Sequence, residues 1–394
     1  MGFTIHLCEK TLFEKKKQFT NFINELKPIL PEKYDEQIIL YLVKKYYPFE
    51  WRILCEQYDE YSKADKKLVR FGKKRRYNMQ RPEKVILQLP VVRDLFTNGV
   101  REKHKKQFIP ASYEKKLRDF EVKRNKMIQA RQARIDQALI KAQQMGPVFL
   151  DKLMGCYDRK NATLKDRVYI LAELKKYYCP KVVNFFKKIA HKELNFQLRE
   201  EAVRHLLAFG HYARLRKQKY MQVHTSNKKR KKRLKKEYAK ERFSIQAIPN
   251  ELEYRIQNNL RDQKFKHFDY FISHSYKDHE QVQKLIVYLN HNDKNVYCDW
   301  ISDSDYLKRH LVCDATLEVI EKRLEQSQAV MFVQSDNSCI SPWVKYELNY
   351  CTALKKTIYV ICKEDIINDS MFFKALEDDW YIDPDYKNLK FKLM

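Results

Sequence analysis

Side chains that can hold a polar ligand with a planar ring lie in short clusters in the last third of the sequence. Hydroxyls and loop amides bind phosphate or sugar oxygens, an aromatic ring stacks on a planar ring, and a carboxylate orients a hydroxyl or stabilises a developing positive charge. The candidate binding residues are Ser273, His274, Ser275, Tyr276, Asp299, Trp300 and Trp343. A carboxylate, Glu347, follows Trp343 by four residues, and on a helix the two side chains share one face.

Strand-like and helix-like runs alternate around these residues. The predicted strands are Phe268–Ser273, Val296–Cys298, Ala329–Val333 and Thr357–Cys362. The predicted helices between them are His279–Asn290, Ala315–Gln326 and Trp343–Lys355. Two of the strands are nearly continuous apolar runs, as expected when both faces of a sheet are covered. The alternation predicts right-handed crossovers and a parallel sheet, and therefore an α/β fold.

In open sheets of this kind, ligands bind beyond the carboxyl ends of the strands. The first cluster of candidate residues follows the first predicted strand, the Asp-Trp pair follows the second, and Ser335 follows the third. Ser341 and Pro342 have the residue types of a helix N-cap and a first helical position. The helix that carries Glu347 is therefore expected to begin at the same edge of the sheet.

Four segments resemble, in order, the motifs of a TIR domain, which is a flavodoxin-like α/β module, and the resemblance begins at about Phe265. They are FDYFISHSYKD (Phe268–Asp278), VYCDW (Val296–Trp300), QAVMFVQS (Gln328–Ser335) and SPWVKYEL (Ser341–Leu348). Each segment alone is a weak signal, but four in the right order at suitable spacing are specific. The chain is most similar in kind to prokaryotic TIR proteins of antiviral defence, which often join this domain to a sensor.

The resemblance implies a chemistry. Many TIR domains hydrolyse NAD+ at the nicotinamide–ribose bond or convert it to cyclic ADP-ribose products, and others act only as adaptors that assemble through TIR–TIR contacts. The catalytic glutamate of the family lies in a W-x-x-x-E arrangement, which here is Trp343 and Glu347. NAD+ would then be the substrate, no further cofactor is expected, and the domain is expected to self-associate into an oligomer.

Structural interpretations of the same residues remain open. Glu347 would then be a solvated helix residue, Trp343 a core side chain, and Asp299 a cap of the following turn. His274 would only donate to a backbone carbonyl. The loop Ser302–Asp314 departs from the family, because it lacks the glycine that members often carry there, and this leaves the geometry of TIR–TIR assembly open.

The composition excludes several classes of protein. The chain of 394 residues has six glycines, and none follows Gly210, so neither a Walker loop nor a GxGxxG dinucleotide fingerprint is present. The nine cysteines form no CxxC pair and no Cys/His cluster at zinc spacing, so we predict no metal site and reduced thiols in a cytoplasmic protein. No apolar run approaches the ~20 residues that span a bilayer, so no membrane association is expected.

Charge divides the chain unevenly. The formal net charge is +28, yet residues 264–394 carry 17 basic against 21 acidic side chains, which leaves +32 on residues 1–263. The densest basic run is Asn227–Arg242, and further basic runs are Lys66–Arg76 and Arg101–Lys106. Two interpretations are open: a flexible solvated linker, or a surface that binds nucleic acid or an acidic protein.

The first two thirds of the chain are predicted to be mostly helical. Apolar groups recur at helical spacing within residues 12–62, whereas residues 80–110 contain three prolines and are expected to be irregular. One long helix is predicted from Ser112, as its N-cap, to about Gln144. Further helices are predicted at Leu164–Tyr178, Lys181–His191 and Gln197–Phe209. Their pattern resembles a HEAT-type helical repeat, and an ordinary helical bundle is the alternative.

These observations together predict a multidomain protein, with a mostly α-helical N-terminal region and a C-terminal α/β TIR domain. The predicted segments are a basic helical region (1–110), a helical, HEAT-like domain (111–215), a basic linker or helix (216–263) and the TIR domain (264–394). The leading hypothesis is an effector that cleaves NAD+ upon activation, in antiviral defence, with the basic helical region as sensor or docking module. The alternative hypothesis is a non-enzymatic TIR adaptor.

Overall fold

The computed structural model describes residues 3–215, 223, 225–258 and 260–376. They form two compact units. The first unit contains the residues up to Ile135 together with Gly210–Tyr212, and the second contains Asp136–Phe209 and the residues from Ala213 onward. The division into four segments (1–110, 111–215, 216–263 and 264–394) stays a prediction. Among the described residues, no helix has both the length and the apolar content that crossing a membrane requires.

The first unit is built from helices around one apolar core. They are α1 (Phe3–Leu26), α2 (Glu36–Tyr46), α3 (Pro48–Arg70), α4 (Pro82–Leu87), α5 (Pro90–Leu95), α6 (Asn98–Gln107) and α7 (Pro110–Ile140), whose last residues belong to the second unit. Asp35 caps α2 by accepting a hydrogen bond from the backbone of Ile38. Phe19, Val43, Leu54 and Val92 are among the fully buried side chains at the centre of this unit.

The prediction of irregular structure at residues 80–110 was wrong. Pro82, Pro90 and Pro110 each begin a helix. Proline is favoured at the first helical position, because its missing N–H would have no partner there and its fixed φ already suits a helix. The long helix was predicted correctly in kind, but it begins before Ser112, which is therefore not its N-cap.

The second unit opens with a helical layer. It contains α8 (Phe149–Tyr157), α9 (Leu164–Leu174), α10 (Pro180–Lys192) and α11 (Phe196–Ala208). Thr163 and Asp166 form a capping box at the start of α9, and Asn195 caps α11. Helices were predicted at the positions of α9, α10 and α11, whereas α8 was not predicted. The apolar faces of all four helices meet in one core. That these helices form a HEAT-type repeat stays a prediction.

The densest basic run, Asn227–Arg242, contains two short helical segments. It contains α12 (Lys228–Arg233), which has no buried residue, and a π-helical turn at Leu234–Tyr238. Two more helices lead to the sheet, namely α13 (Pro249–Gln257) and α14 (Arg261–Lys264). Residues 216–222, 224 and 259 of the predicted linker lie outside the described residues.

The remaining described residues form the predicted α/β fold. The strands are β1 (Phe268–Ser273), β2 (Val296–Tyr297), β3 (Ser327–Gln334), β4 (Ile358–Cys362) and β5 (Lys374–Ala375). The helices are α15 (His279–His291), α16 (Asp299–Ser302), α17 (Asp314–Gln326), α18 (Asp336–Cys339), α19 (Pro342–Ala353) and α20 (Lys363–Ile367). The strand order is β2-β1-β3-β4-β5, and only β5 runs antiparallel to its neighbour. The sequence did not predict β5.

Both faces of this sheet are buried. Phe271 and Val330 face a core that α17 and α19 complete, whereas the adjacent residues Ile272 and Met331 face a core that α15 and α20 complete. Successive strand residues point to opposite faces, so strands covered on both sides need apolar residues throughout. The strand order changes direction between β1 and β3, and a ligand site is expected beyond the carboxyl ends of these two strands.

Candidate functional site

A hydrogen bond joins the predicted catalytic residue to the end of the central strand. Ser273 is the last residue of β1, and its Oγ donates to Glu347 Oε2 at 2.6 Å. Ser341 caps α19, with Pro342 as its first residue, and this start places Glu347 in the second turn beside the end of β1. The Ser273 side chain is fully buried, and Glu347 is half-buried. In this structure Ser273 therefore contacts the glutamate, and it is not exposed to a ligand.

The surroundings of Glu347 disfavour its charge. Burial raises the pKa of Glu347 to about 8, the negative charge of Asp299 adds to this, and the hydrogen bond from Ser273 partly opposes it. Without a ligand, the carboxyl group is thus largely protonated at neutral pH. A cation bound next to it would favour the carboxylate, so the site is electrostatically matched to a positively charged group.

His274 and Asp299 lie side by side at the ends of β1 and β2. His274 Nδ1 is 3.0 Å from the carbonyl oxygen of Ile272, to which it donates, and Nε2 is 3.9 Å from Asp299 Oδ1. Asp299 Oδ1 also accepts a hydrogen bond of 2.8 Å from the backbone of Trp300. His274 therefore donates to a backbone carbonyl and Asp299 accepts from the backbone of the following turn, which are the structural roles that the sequence left open for them. Their proximity was not predictable from spacing, because two different strands bring them together.

The other predicted residues have varied positions. Ser275 accepts a hydrogen bond from Lys277 N and begins a 3-10 turn, and Tyr276 lies on this turn with its ring stacked on His279 and 59% exposed. Trp343 is half-buried and packs against the core between the sheet and α19, as the structural interpretation expected. Trp300 is also half-buried, and its Nε1 is a buried donor without a partner among the described residues.

Asp278 was not predicted as a site residue, although it ends the first motif. It is fully buried and accepts hydrogen bonds from Ser335 Oγ (2.6 Å), Asn337 Nδ2 (3.1 Å) and Lys363 Nζ (2.8 Å). Burial alone would raise the pKa of Asp278, but these hydrogen bonds hold it below its usual range. Asp278 thereby ties the loop after β1 to the ends of β3 and β4, and it fixes the edge on which the candidate ligand site lies.

A buried charge cluster holds the loop after β2, and the sequence contained no signal for it. Asp303 and Arg323 are fully buried and form a 2.8 Å ion pair between the loop and α17. Three more buried or nearly buried charges surround Asp303, namely Glu173 and Lys176 from the helical layer and Lys266 before β1. The loop that borders the site is therefore anchored both to the α/β fold and to α9.

Gln143 attaches the helical layer to the edge of the sheet. Its side-chain amide donates to the carbonyl of Val296 at 2.6 Å and accepts from the N–H of Val296 at 3.2 Å. This side chain, only 1% exposed, thus pairs with the edge strand β2 as a neighbouring strand would. Tyr177 adds a hydrogen bond from its hydroxyl to Asn295 at 3.2 Å.

Comparisons with known proteins agree with this geometry. The TIR domain family matches residues 271–388. The "Putative cyclic ADP-D-ribose synthase TIR2" of Cytobacillus dafuensis is 36% identical over 350 residues, which is 89% of this chain and 89% of that protein. The "Probable 3' cyclic ADP-D-ribose synthase ThsB'" of Bacillus cereus (strain MSX-D12) is 29% identical over 124 residues, which is 30% of this chain and 64% of that protein. No solved structure matches the chain.

Proposed function

Because this chain belongs to the TIR-domain proteins, we propose that it cleaves NAD+ at the nicotinamide–ribose bond, with Glu347 as the catalytic residue. The observation that carries the proposal is the position of Glu347: a half-buried carboxyl group at the carboxyl end of β1, next to the β1/β3 switch, with a pKa raised to about 8. Two relatives whose names are those of cyclic ADP-ribose synthases support the same reaction class.

The chemistry follows from charge. NAD+ brings a positively charged pyridinium, which lowers the pKa of Glu347 and favours its carboxylate form. When the C1′–N bond breaks, its electron pair leaves with neutral nicotinamide, and positive charge develops on the ribose. The Glu347 carboxylate stabilises this charge and orients a ribose hydroxyl, as carboxylates do in glycosidases. Ser273 is a positioning residue, because it contacts Glu347 and is itself buried.

The second step decides the product. Attack by water at C1′ gives linear ADP-ribose and one proton, whereas attack by a nucleophilic atom of the same ADP-ribosyl group gives a cyclic product. We favour the cyclic product, on the names of the two relatives. We propose that Tyr276, which is 59% exposed, stacks on a ring of the nucleotide, and that the half-exposed Asp299 accepts a hydrogen bond from a ribose hydroxyl.

The test is NAD+ consumption by the full chain, with the products separated by chromatography. Glu347→Gln keeps the shape of the side chain and should lower turnover by at least about 100-fold, the usual cost of losing one stabiliser of transition-state charge. Glu280→Gln, an exposed position at the start of α15, is the matched control and should keep full turnover. Equal turnover in wild type and Glu347→Gln would contradict the mechanism. If neither protein turned over NAD+ in any condition, the adaptor hypothesis would be favoured, and self-association would be measured next.

For the helical part of the second unit, we propose a role in transmitting a signal to the site. Support comes from two contacts on either side of Asp299 in the sequence. Gln143 is hydrogen-bonded to Val296 in β2, and Lys176, which also pairs with Glu173, forms an ion pair with Asp303. The expected oligomer would form through TIR–TIR contacts, as in the family. The proposed biological setting is antiviral defence, and protection of cells from phage by wild type but not by Glu347→Gln would support it.

Nucleic acid is the proposed trigger, on the evidence of the basic runs. The exposed helix α12 consists of six basic residues. In the first unit, Phe71 is 68% exposed within a basic run, whereas Tyr77 stacks on Tyr61 and is not free to stack on a base. Binding to phosphate should weaken steeply with salt. Affinity that did not change with ionic strength would contradict this proposal and favour a linker.

A further inference from the structure

We propose that His274, Cys298 and Asp299 form a binding site for one Zn2+ ion, and that the ion blocks the candidate nucleotide site. The three residues lie at the carboxyl ends of β1 and β2. One ligand atom from each residue lies within 4.8 Å of the other two. Cysteine, histidine and aspartate are all zinc ligands, and three protein ligands with one open position is a common arrangement.

The separations of the ligand atoms are somewhat longer than those around a tetrahedral ion. Bond lengths of about 2.0–2.3 Å place neighbouring ligand atoms of a tetrahedral zinc about 3.3–3.7 Å apart. Cys298 Sγ and His274 Nε2 are each 3.9 Å from Asp299 Oδ1. The ligand atoms of Cys298 and His274 lie within 4.8 Å of each other, so the three side chains must draw closer together to bind the ion. The Asp299 side chain is 50% exposed and can rotate, whereas those of His274 and Cys298 are 6% and 0% exposed and already held.

The hydrogen bond of His274 is the second observation that points to a metal. Nδ1–H donates to the carbonyl oxygen of Ile272, so in the neutral imidazole Nε2 carries the lone pair. Nε2 then faces the oxygen of Asp299, which is also an acceptor. Histidine ligands almost always donate their other N–H to a carbonyl or a carboxylate in this way. A cation between Nε2 and Asp299 Oδ1 would be bound by the lone pairs of both atoms, and Oδ1 would keep its hydrogen bond from the backbone of Trp300.

The chemistry of the ligands selects the ion. Thiolate and imidazole favour zinc over magnesium or calcium, which prefer oxygen ligands only. When the ion binds, the Sγ–H bond of Cys298 breaks, a Zn–S bond forms, and one proton passes to the solvent. No electron is transferred. Because Asp299 is half-exposed, the fourth position of the ion would be open to water.

The position and the charge of the bound ion would inhibit NAD+ cleavage. This part of the inference rests on the proposed function. The oxygen of Asp299 that binds zinc could no longer accept a hydrogen bond from ribose. The ion, the Asp299 carboxylate and the Cys298 thiolate are neutral overall, whereas the metal-free site carries the negative charge of Asp299. Zinc binding therefore removes an attraction for the pyridinium of NAD+ and for the positive charge that develops on the ribose. The ion therefore opposes both substrate binding and bond cleavage.

The binding test uses Co2+ as a spectroscopic probe on the metal-free full chain. We expect about one Co2+ per chain, with a thiolate-to-cobalt charge-transfer band that Zn2+ removes. Cys298→Ala should lose this band and weaken Co2+ binding by at least about 100-fold, the upper end of what outer-shell changes cost at metal sites. Cys339→Ala, at an exposed cysteine on α18, is the matched control and should retain the band. Wild type without the band, or a band that survives Cys298→Ala, would overturn the site.

Further measurements distinguish metal binding from its proposed effect on NAD+ cleavage. His274→Gln should also weaken Co2+ binding. If thermal unfolding shows that Cys298→Ala is not folded, His274→Gln takes its place as the test of the metal site. The rate of NAD+ cleavage by wild type should be at least about tenfold lower in excess Zn2+ than in excess chelator. For His274→Gln the same ratio is measured within the variant, because His274 is itself a candidate binding residue, and zinc should lower its rate less than that of wild type. Co2+ binding without inhibition would overturn the blocking role alone. Failure of NAD+ cleavage in every condition would count against the proposed function, while the band would still decide the site.

Discussion

Arg323 Nε and Asp303 Oδ2 are 2.8 Å apart, and both side chains are fully inaccessible to solvent. Gln263 accepts a second hydrogen bond from Arg323 at 2.8 Å, so the guanidinium is held from two sides. The pair joins α17 to the loop after β2, and through Lys176 it also reaches the helical layer. The position of this loop therefore depends on charges that have no access to water.

Removal of one partner from this pair should strongly destabilise the second unit. Breaking a buried ion pair costs about 3–5 kcal/mol when the remaining charge has no other partner. In Arg323→Met, Asp303 keeps Lys176 at 3.1 Å, so we expect a loss toward the lower end of this range. Lys322→Met, at the preceding and partly exposed position, should cost less than about 1 kcal/mol. Urea unfolding of the full chain, followed by near-UV circular dichroism, measures the difference. Equal midpoints for the two variants would contradict the structural role of the pair.

The stability of the protein should depend on pH through Glu347. Its pKa is raised from 4.5 to about 8 in the fold, so the folded state binds more protons than the unfolded state between these values. Its contribution to stability is fully present below about pH 4.5 and is lost as pH rises through about 8. Glu347→Gln removes this loss, and its melting temperature at pH 8 should exceed that of wild type by a few degrees.

The control for this comparison is pH 4.5, where wild type and Glu347→Gln should melt at similar temperatures because both side chains are neutral. Glu280→Gln should follow wild type at each pH. A melting temperature of Glu347→Gln that equals that of wild type at pH 8 would mean that the carboxyl group is not desolvated.

The pH dependence of NAD+ cleavage should report the same group. If the carboxylate is the active form, kcat/KM rises with pH and levels off above about 8, since kcat/KM follows the free enzyme. The inflection in kcat should lie at lower pH, because bound NAD+ is cationic and favours the carboxylate. A kcat/KM that falls as pH rises from 6 to about 8 would instead indicate that the protonated form is active.

Ser273→Ala should move that inflection to higher pH. The hydrogen bond from Ser273 lowers the pKa of Glu347, so its loss raises the pKa further. At pH 7, kcat/KM should fall by about tenfold for a pKa that is one unit higher. Ser275→Ala, at the half-buried serine two residues further along the chain, is the control and should leave the inflection in place. A fall in kcat/KM without any movement of the inflection would show that Ser273 supports only the packing.

Gln143→Ala should open the edge of the sheet. The variant leaves the N–H and the carbonyl of Val296 without their partner, which costs about 1–3 kcal/mol for each buried group that stays unsatisfied. Amide hydrogen exchange at Val296 should become faster. Gln144→Ala, at the exposed next position, should leave this exchange rate unchanged. Unchanged exchange in both variants would exclude the pairing of Gln143 with β2.

Local patterns were sufficient to predict the TIR fold, the central strands and the position of Glu347. The four motifs are each contiguous, strand and helix periodicity is a property of neighbouring residues, and the start of α19 depends on Ser341 and Pro342 alone. The same reasoning failed at Pro82 and Pro90, where proline begins a helix rather than interrupting one. Proline in a sequence shows where a helix cannot continue, but it does not by itself show which side of it is helical.

Relations between distant residues were decided by the tertiary structure alone. The sequence predicted no metal site, because it contains no cysteine and histidine at zinc spacing. The fold nevertheless places His274 at the end of β1 beside Cys298 and Asp299 at the end of β2. Parallel pairing brings the carboxyl ends of these strands to one edge, whatever the length of chain between them. Likewise, the sequence indicated no role for Asp303 beyond its place in the loop Ser302–Asp314. Burial against Arg323 gives it a structural role, because a charge removed from water must find a partner.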